Sequence, residues 1–302
     1  TLGELSVISK TLTIDASSLS VGITLDGGGN SRILTVGSGT VNILGVRFTR
    51  GFAPADGGAI YAFSSSLLTL TDCGFFDNEA GQHGGAIDCS LSDLTLDNTW
   101  IAYNLAGGHG GGIRITGATS DLIATSSTIS NNTASGGGGG IRASSAGSVT
   151  LRTSTINNNR TLGPGGGTYA ISTPLVLENT TITANTATAA GGGLYSNGDL
   201  TLTSCTVTSN TSALGGGGLW LISPATRTIT NTIVARNTSV DDADLSLQGA
   251  NLTRAGVNFI GSNDGNSSVF PAGNPNPNGD LVGTDAAPLN PRLSPLAFYG
   301  GT

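Results

Sequence analysis

The chain has 302 residues, of which 48 are glycine, and charged residues make up only 10%, against roughly 25% in ordinary domains. Its net charge of −7 and its single lysine, Lys10, leave little to neutralise phosphates, which argues against nucleic acid as a partner. No apolar run approaches the ~18 residues of a membrane-crossing helix, and the low charge is unlike that of disordered chains.

Methionine is absent even from position 1, so we expect a processed product or a fragment. Cys73, Cys89 and Cys205 match no zinc spacing and cannot all pair, so they read as small buried apolar residues.

In chain order, residues 1–56 hold short strand-like runs: "LSVI", "LTI", "ITL" and "VNIL". From there a repeat takes over. A branched or apolar residue follows a glycine pair or triplet at Ile60, Ile87, Ile113, Ile141, Leu194 and Leu219, and "GGGTY" places Thr168 in the gap. The steps are 27, 26, 28, 27, 26 and 25 residues. A second series sets an apolar residue three places before Asn78, Asn104, Asn132, Asn159, Asn185, Asn210 and Asn237. Its steps are 26, 28, 27, 26, 25 and 27. Two series that drift together identify a true repeat.

Between the two markers lie alternating runs such as "LTLTDCGF" and "VTLRTSTI", the period-two pattern of strands. No segment has helical spacing with caps. About three short strands per repeat of this length suit one coil of a parallel β-helix, with coils stacked ~4.8 Å apart. The glycines then take a bend that a side chain would not tolerate. The asparagines are expected in left-handed conformation at another bend, bonded to backbone or to the next asparagine. A column of small residues, Cys73, Thr99, Ser127, Ser154, Thr180, Cys205 and Thr232, is expected at a tight inner corner.

"FTRG" at 48–51 carries glycine where later coils carry asparagine. After Asn237 the phasing fades and prolines cluster between 271 and 295. The reading is therefore one all-β domain: a right-handed parallel β-helix, or β-solenoid, of about nine coils over residues 1–237, with 238–302 as an irregular C-terminal cap.

The tetrapeptides "GGAI" (57–60 and 84–87) and "FFDN" (75–78) resemble the paired GGA(I/L/V) and FxxN repeats of polymorphic outer-membrane proteins. They are also similar to repeats of secreted or surface-anchored bacterial β-helix proteins. The tail "NTIVARNTS … NFIGS … GDLVGTDAAPLNPRLSPLAFYGGT" resembles the segment that closes such helices. The resemblance implies a β-helix and an extracellular or bacterial cell-surface location. It implies no catalytic residues, because the repeats specify a scaffold.

Stacked coils align side chains into columns. Four places before the apolar marker stand Asp56, His83 and His109, a set whose chemistry suits a transition metal or acid–base work if the groups converge; polar decoration of a glycine bend is the plainer reading. Directly after the marker stand Tyr61, Asp88, Arg114, Arg142, Tyr169, Tyr195 and Trp220. Of these Tyr61, Arg114, Arg142, Tyr169, Tyr195 and Trp220 form an outward stripe suited to stacking on a glycan or a surface protein; cross-coil packing with an Asp88–Arg114 pair is the alternative. Paired carboxylates are scarce: Asp72 and Asp97 fall in adjacent columns, and Asp77 and Glu79 flank one Asn bend.

The expected function is non-catalytic: an extracellular surface scaffold, adhesin or self-assembling, filament-like module, with no cofactor. The alternative is a carbohydrate-active β-helix enzyme, a polysaccharide lyase or glycoside hydrolase. The strand edges of a β-helix and a first coil that opens on strand-like "TLGELSVISKTLTI" allow end-to-end self-association; the alternative is that an upstream segment caps this end in the intact protein.

Overall fold

The structure is a computed structural model that describes residues 3–20, 22–222, 225–249 and 251–294. Every regular element among them is a strand; each coil passes through three sheets in turn, and seven of the coils add a strand in a fourth. Sheet A has ten strands, from Leu5–Ile8 to Leu245–Gln248, and sheet B ten, from Thr11–Asp15 to Thr253–Ala255. Sheet C has eleven, from Ile23–Asp26 to Leu281–Val282, and sheet D seven two-residue strands, from Phe52–Ala53 to Thr211–Ser212. All pairings between these strands are parallel, as they must be when each strand lies on its counterpart one coil away.

The two sequence series are the registers of two sheets. Ile60, Ile87, Ile113, Ile141, Thr168, Leu194 and Leu219 pair successively in sheet A. Phe75, Ile101, Ile129, Ile156, Ile182, Val207 and Val234 do so in sheet C. All of them are buried, and with the inward residues of sheet B they make one continuous core. Phe48 and Phe75 stack inside it, ring centroids 4.6 Å apart and 3° from parallel.

Sheet D is the strand that alternation did not foretell, since a two-residue strand has no period to display. The sheets also run past Asn237: Leu245–Gln248, Thr253–Ala255 and Phe259–Ile260 add a tenth coil in register with the ninth. The irregular cap therefore begins near residue 261, where Phe270 is buried over the last coil; residues 295–302 of the expected cap lie outside the described residues.

The bends show why the repeat uses these residues. Gly57 opens the glycine corner with φ of 65°, and a Cβ on Gly58 would lie 2.2 Å from the carbonyl oxygen of Gly85 on the next coil. No side chain fits there. At the asparagine bend the left-handed residue is the one before each asparagine, for example Asp77 at 56°, Asn131 at 54° and Ala184 at 56°. This corrects the expectation for Asn78, Asn104, Asn132, Asn159, Asn185, Asn210 and Asn237. Their side chains turn inward and are buried.

From Asn104 onward each amide oxygen of this ladder accepts two N–H groups from the asparagine one coil before. Asn104 N and Nδ2 both donate to Asn132 Oδ1 at 3.0 and 2.9 Å, and Asn132 N and Nδ2 both donate to Asn159 Oδ1 at 3.0 Å. The remaining Nδ2 proton goes to the backbone carbonyl of the preceding coil, as from Asn132 to Ile101 at 2.9 Å. Gly51 opens the ladder by donating its N–H to Asn78 Oδ1 at 2.8 Å.

Because the donors between asparagines all point toward the C-terminus, the last asparagine needs an acceptor beyond it. Asn237 N and Nδ2 donate to Asp244 Oδ1 at 3.0 and 2.9 Å, while Asp244 Oδ2 accepts Ser262 N at 2.7 Å. Burial pushes the Asp244 carboxyl above its ordinary range, opposed by these N–H groups.

The small-residue column follows the same logic and occupies the inner corner as expected. Thr99 N donates to Ser127 Oγ at 3.1 Å and Ser127 N to Ser154 Oγ at 3.1 Å. This column continues through Thr232 and Asn258 to a second buried carboxylate, Asp280, which also pairs with Arg254 at 2.7 Å. The three cysteines are free and buried, and Cys73 and Cys205 donate their thiols to backbone carbonyls of Ile43 and Leu177.

Candidate functional site

The outward face of sheet A carries the stripe. Tyr61, Asp88, Arg114, Arg142, Tyr169, Tyr195 and Trp220 stand in unbroken register, one per coil. The alternation that buries Ile60 or Leu219 turns the next side chain outward, and all but Asp88 are half-buried. The Arg142 guanidinium lies 4.2 Å from the Tyr169 ring centroid, and the Tyr169 and Tyr195 rings meet edge to face at 5.0 Å and 81°. Two rings lean over glycines of the neighbouring corner: a Cβ on Gly137 would lie 2.5 Å from Tyr169 Cδ1, and one on Gly215 2.5 Å from Trp220 Cζ3. Packing between coils and an outward aromatic face therefore coexist in the same residues.

The N-terminal half of the stripe is an ionic cluster. Arg114 Nη1 reaches Asp88 Oδ2 at 2.9 Å and Asp56 Oδ2 at 3.6 Å. The Asp88 side chain is fully buried, and its Oδ1 meets no donor among the described residues. Burial, only partly offset by Arg114 and reinforced by Asp56, pushes its carboxyl up to about 7.

Arg32, which carried no signal in the sequence because it precedes the clear repeats, closes the cluster. It donates to the backbone carbonyls of Gly57 and Asp56 at 3.0 and 2.8 Å, pairs with Glu4 at 2.9 Å and lies 5.3 Å from the Tyr61 ring centroid.

Asp56, His83 and His109 are stacked as expected, but they do not converge on a metal. Asp56 Oδ1 accepts the backbone N–H of His83 at 3.2 Å, and His83 Nδ1 accepts that of His109 at 3.1 Å. The imidazoles lie 5.3 Å apart and 20° from parallel. The acceptor atoms of Asp56 and His83 thus serve the backbone of the following coil, and among the described residues no group of three such side chains is placed to hold a metal ion. Burial lowers both histidines below their ordinary range, helped for His83 by Arg114 and for His109 by Arg142. A neutral imidazole, protonated on Nε2, is the form that accepts at Nδ1.

A family model described as a right-handed β-helix region matches residues 92–269, more than half of the chain. The chain belongs to this family. No curated protein and no solved structure shows a significant match. The family fixes the hand of the β-helix, which is the hand expected when parallel strands are joined by crossovers.

Proposed function

We propose that this β-helix is a non-catalytic extracellular scaffold and adhesive module that presents the sheet A face to a glycan or a surface protein. The observation that carries the reading is the run of Arg142, Tyr169, Tyr195 and Trp220 on four successive coils, half-buried and in register. Aromatic and arginine side chains are the residue types that concentrate binding energy at interfaces. Fixed on a rigid sheet, they lose little entropy when a partner docks. The likeness of "GGAI" and "FFDN" to the repeats of bacterial surface proteins supports a cell-surface location.

The test is a glycan array and a surface-protein capture screen with the whole chain, repeated with Tyr195→Ala/Trp220→Ala. Loss of binding with an unchanged circular dichroism spectrum is the expected result. Equal binding by both proteins removes the stripe as the contact surface.

Assembly end to end belongs to the same reading. Leu5, Ile8 and Ile23 of the first described coil are exposed, and the proposal is that a second copy pairs with this coil's strand edge. Light scattering against concentration tests it: fibres that vanish on Ile8→Pro support assembly, and a concentration-independent monomer ends it.

One feature favours the enzymatic alternative: beside Arg114 and Asp56, burial pushes the Asp88 carboxyl up to about 7, a range suited to acid–base work on a polysaccharide. Release of new sugar ends from a polysaccharide panel, abolished by Asp88→Asn, would establish it.

A further inference from the structure

Away from the sheet A stripe, a groove of about 490 Å³ runs along the corner between sheets B and C, within the usual range of ligand clefts. It is lined by Asp72, Asn98 and Ser126 on the corner and by Phe76, Trp100 and Thr128 on sheet C. The three corner residues share one conformation, with φ of 53°, 46° and 49°, so the fold repeats the same ledge on three coils. On this ledge Asn98 Nδ2 donates to Asp72 Oδ1 at 2.6 Å. That bond fixes a carboxylate and an amide side by side, with further acceptor positions on both groups.

The opposite wall is aromatic. Trp100 is 49% exposed, yet its indole is held in place: Nε1 donates to Ser130 Oγ at 3.1 Å, and the ring meets Phe76 edge to face at 5.4 Å and 76°. Phe76 is covered by Arg47, whose guanidinium lies 4.2 Å from its centroid. It also rests on Gly74, where a Cβ would lie 2.5 Å from its ring. The indole of Trp100 is thus the open aromatic surface of the groove.

The fold does not need it there. The positions in register with Trp100 on the next four coils are Thr128, Thr155, Thr181 and Thr206. A threonine serves the sheet equally well, so the large exposed indole has another use.

We propose that this groove is a saccharide-binding subsite, in which a neutral pyranose lays its C–H face on Trp100 and directs its hydroxyls to Asp72 and Asn98. A wholly apolar ligand would strip water from the Asp72–Asn98 pair without replacing its hydrogen bonds. A phosphate-bearing ligand would meet the Asp72 carboxylate on a chain of net charge −7. Arg47 and Asp72 line the same trough, one charge of each sign, which matches a neutral ligand. The trough continues past Phe76 to Arg47, Gly45 and Gly22, parallel to the stacking direction, so further sugar units of one chain have room. The subsite is independent of the sheet A reading and is tested by different variants.

The experiment uses the whole chain carrying Trp220→Phe, which leaves Trp100 as its sole tryptophan. Cellohexaose, maltohexaose and mannohexaose are titrated to about 1 mM, followed by tryptophan fluorescence and calorimetry. At least one hexaose is expected to give a saturable change. Trp100→Thr, the residue its neighbours carry, and Asp72→Asn are each expected to weaken calorimetric binding by roughly tenfold or more. Absence of saturable binding by all three sugars, or binding that survives Trp100→Thr, overturns the proposal. So does a proline-rich peptide that saturates the Trp100 signal where the sugars do not.

Discussion

Replacing Asn132 by leucine removes one rung of the buried ladder while nearly conserving side-chain size. Its Oδ1 accepts from Asn104 N and Nδ2 at 3.0 and 2.9 Å, and its Nδ2 donates to Asn159 Oδ1 and to Ile101 O at 3.0 and 2.9 Å. All four bonds are lost. Asn104 Nδ2 keeps the carbonyls of Phe75 and Ala102, and Asn159 Oδ1 keeps the Asn132 backbone N–H. The backbone N–H of Asn104 is left buried without an acceptor, which costs roughly 1–3 kcal/mol. The other lost bonds add about 1 kcal/mol each, and the apolar leucine side chain returns roughly 1–2 kcal/mol. The expected net loss is roughly 2–5 kcal/mol. Urea denaturation followed by circular dichroism reads it as a lower midpoint. Asn131→Gly is the control: residue 131 sits at φ of 54° outside the ladder, and glycine adopts that conformation without strain. A wild-type midpoint for Asn132→Leu would refute the ladder as a source of stability.

Three further perturbations have defined outcomes. The Asp88 carboxyl is raised from 3.8 to about 7, so its contribution to stability is complete below the ordinary aspartate value and is lost as pH rises through that window, by up to roughly 4 kcal/mol; Asp88→Asn flattens this part of a melting-temperature profile, and an unchanged profile refutes the assignment. His83 and His109 are lowered, so their contribution is present above the ordinary histidine value and fades as pH falls through their folded values; His83→Asn keeps an acceptor for His109 N and removes part of the acid lability, while zinc or nickel leaves wild-type melting unchanged. Asp244→Asn, almost isosteric, turns an amide N–H toward the N–H of Ser262 or those of Asn237 and is expected to cost roughly 2 kcal/mol in urea, with faster hydrogen exchange across the tenth coil; an unaffected midpoint refutes the acceptor requirement.

The sequence by itself determined the strand class, the coil length and the register of sheets A and C. Every coil must place the same residue type at the same bend, and that demand writes Ile60 to Leu219 and Asn78 to Asn237 as visible series. It also placed Tyr61 to Trp220 on one face, since column membership follows from counting. What those columns do was decided only in three dimensions. His83 and Asp56 share a column, but one acceptor atom of each points at the next coil's backbone rather than at a common centre. The stop signals Asp244 and Asp280 were invisible because they break the spacing: Asp244 lies seven residues after Asn237 yet meets it as a full coil partner. The Trp100 groove was hidden for a related reason. Its members come from three columns, Asp72 with Asn98, Phe76, and Trp100, and only the turn of the corner between sheets B and C brings a ledge and a ring to face one another. Periodicity records what every coil shares. The features private to one or two coils depend on side-chain direction, which the packed solenoid alone supplies.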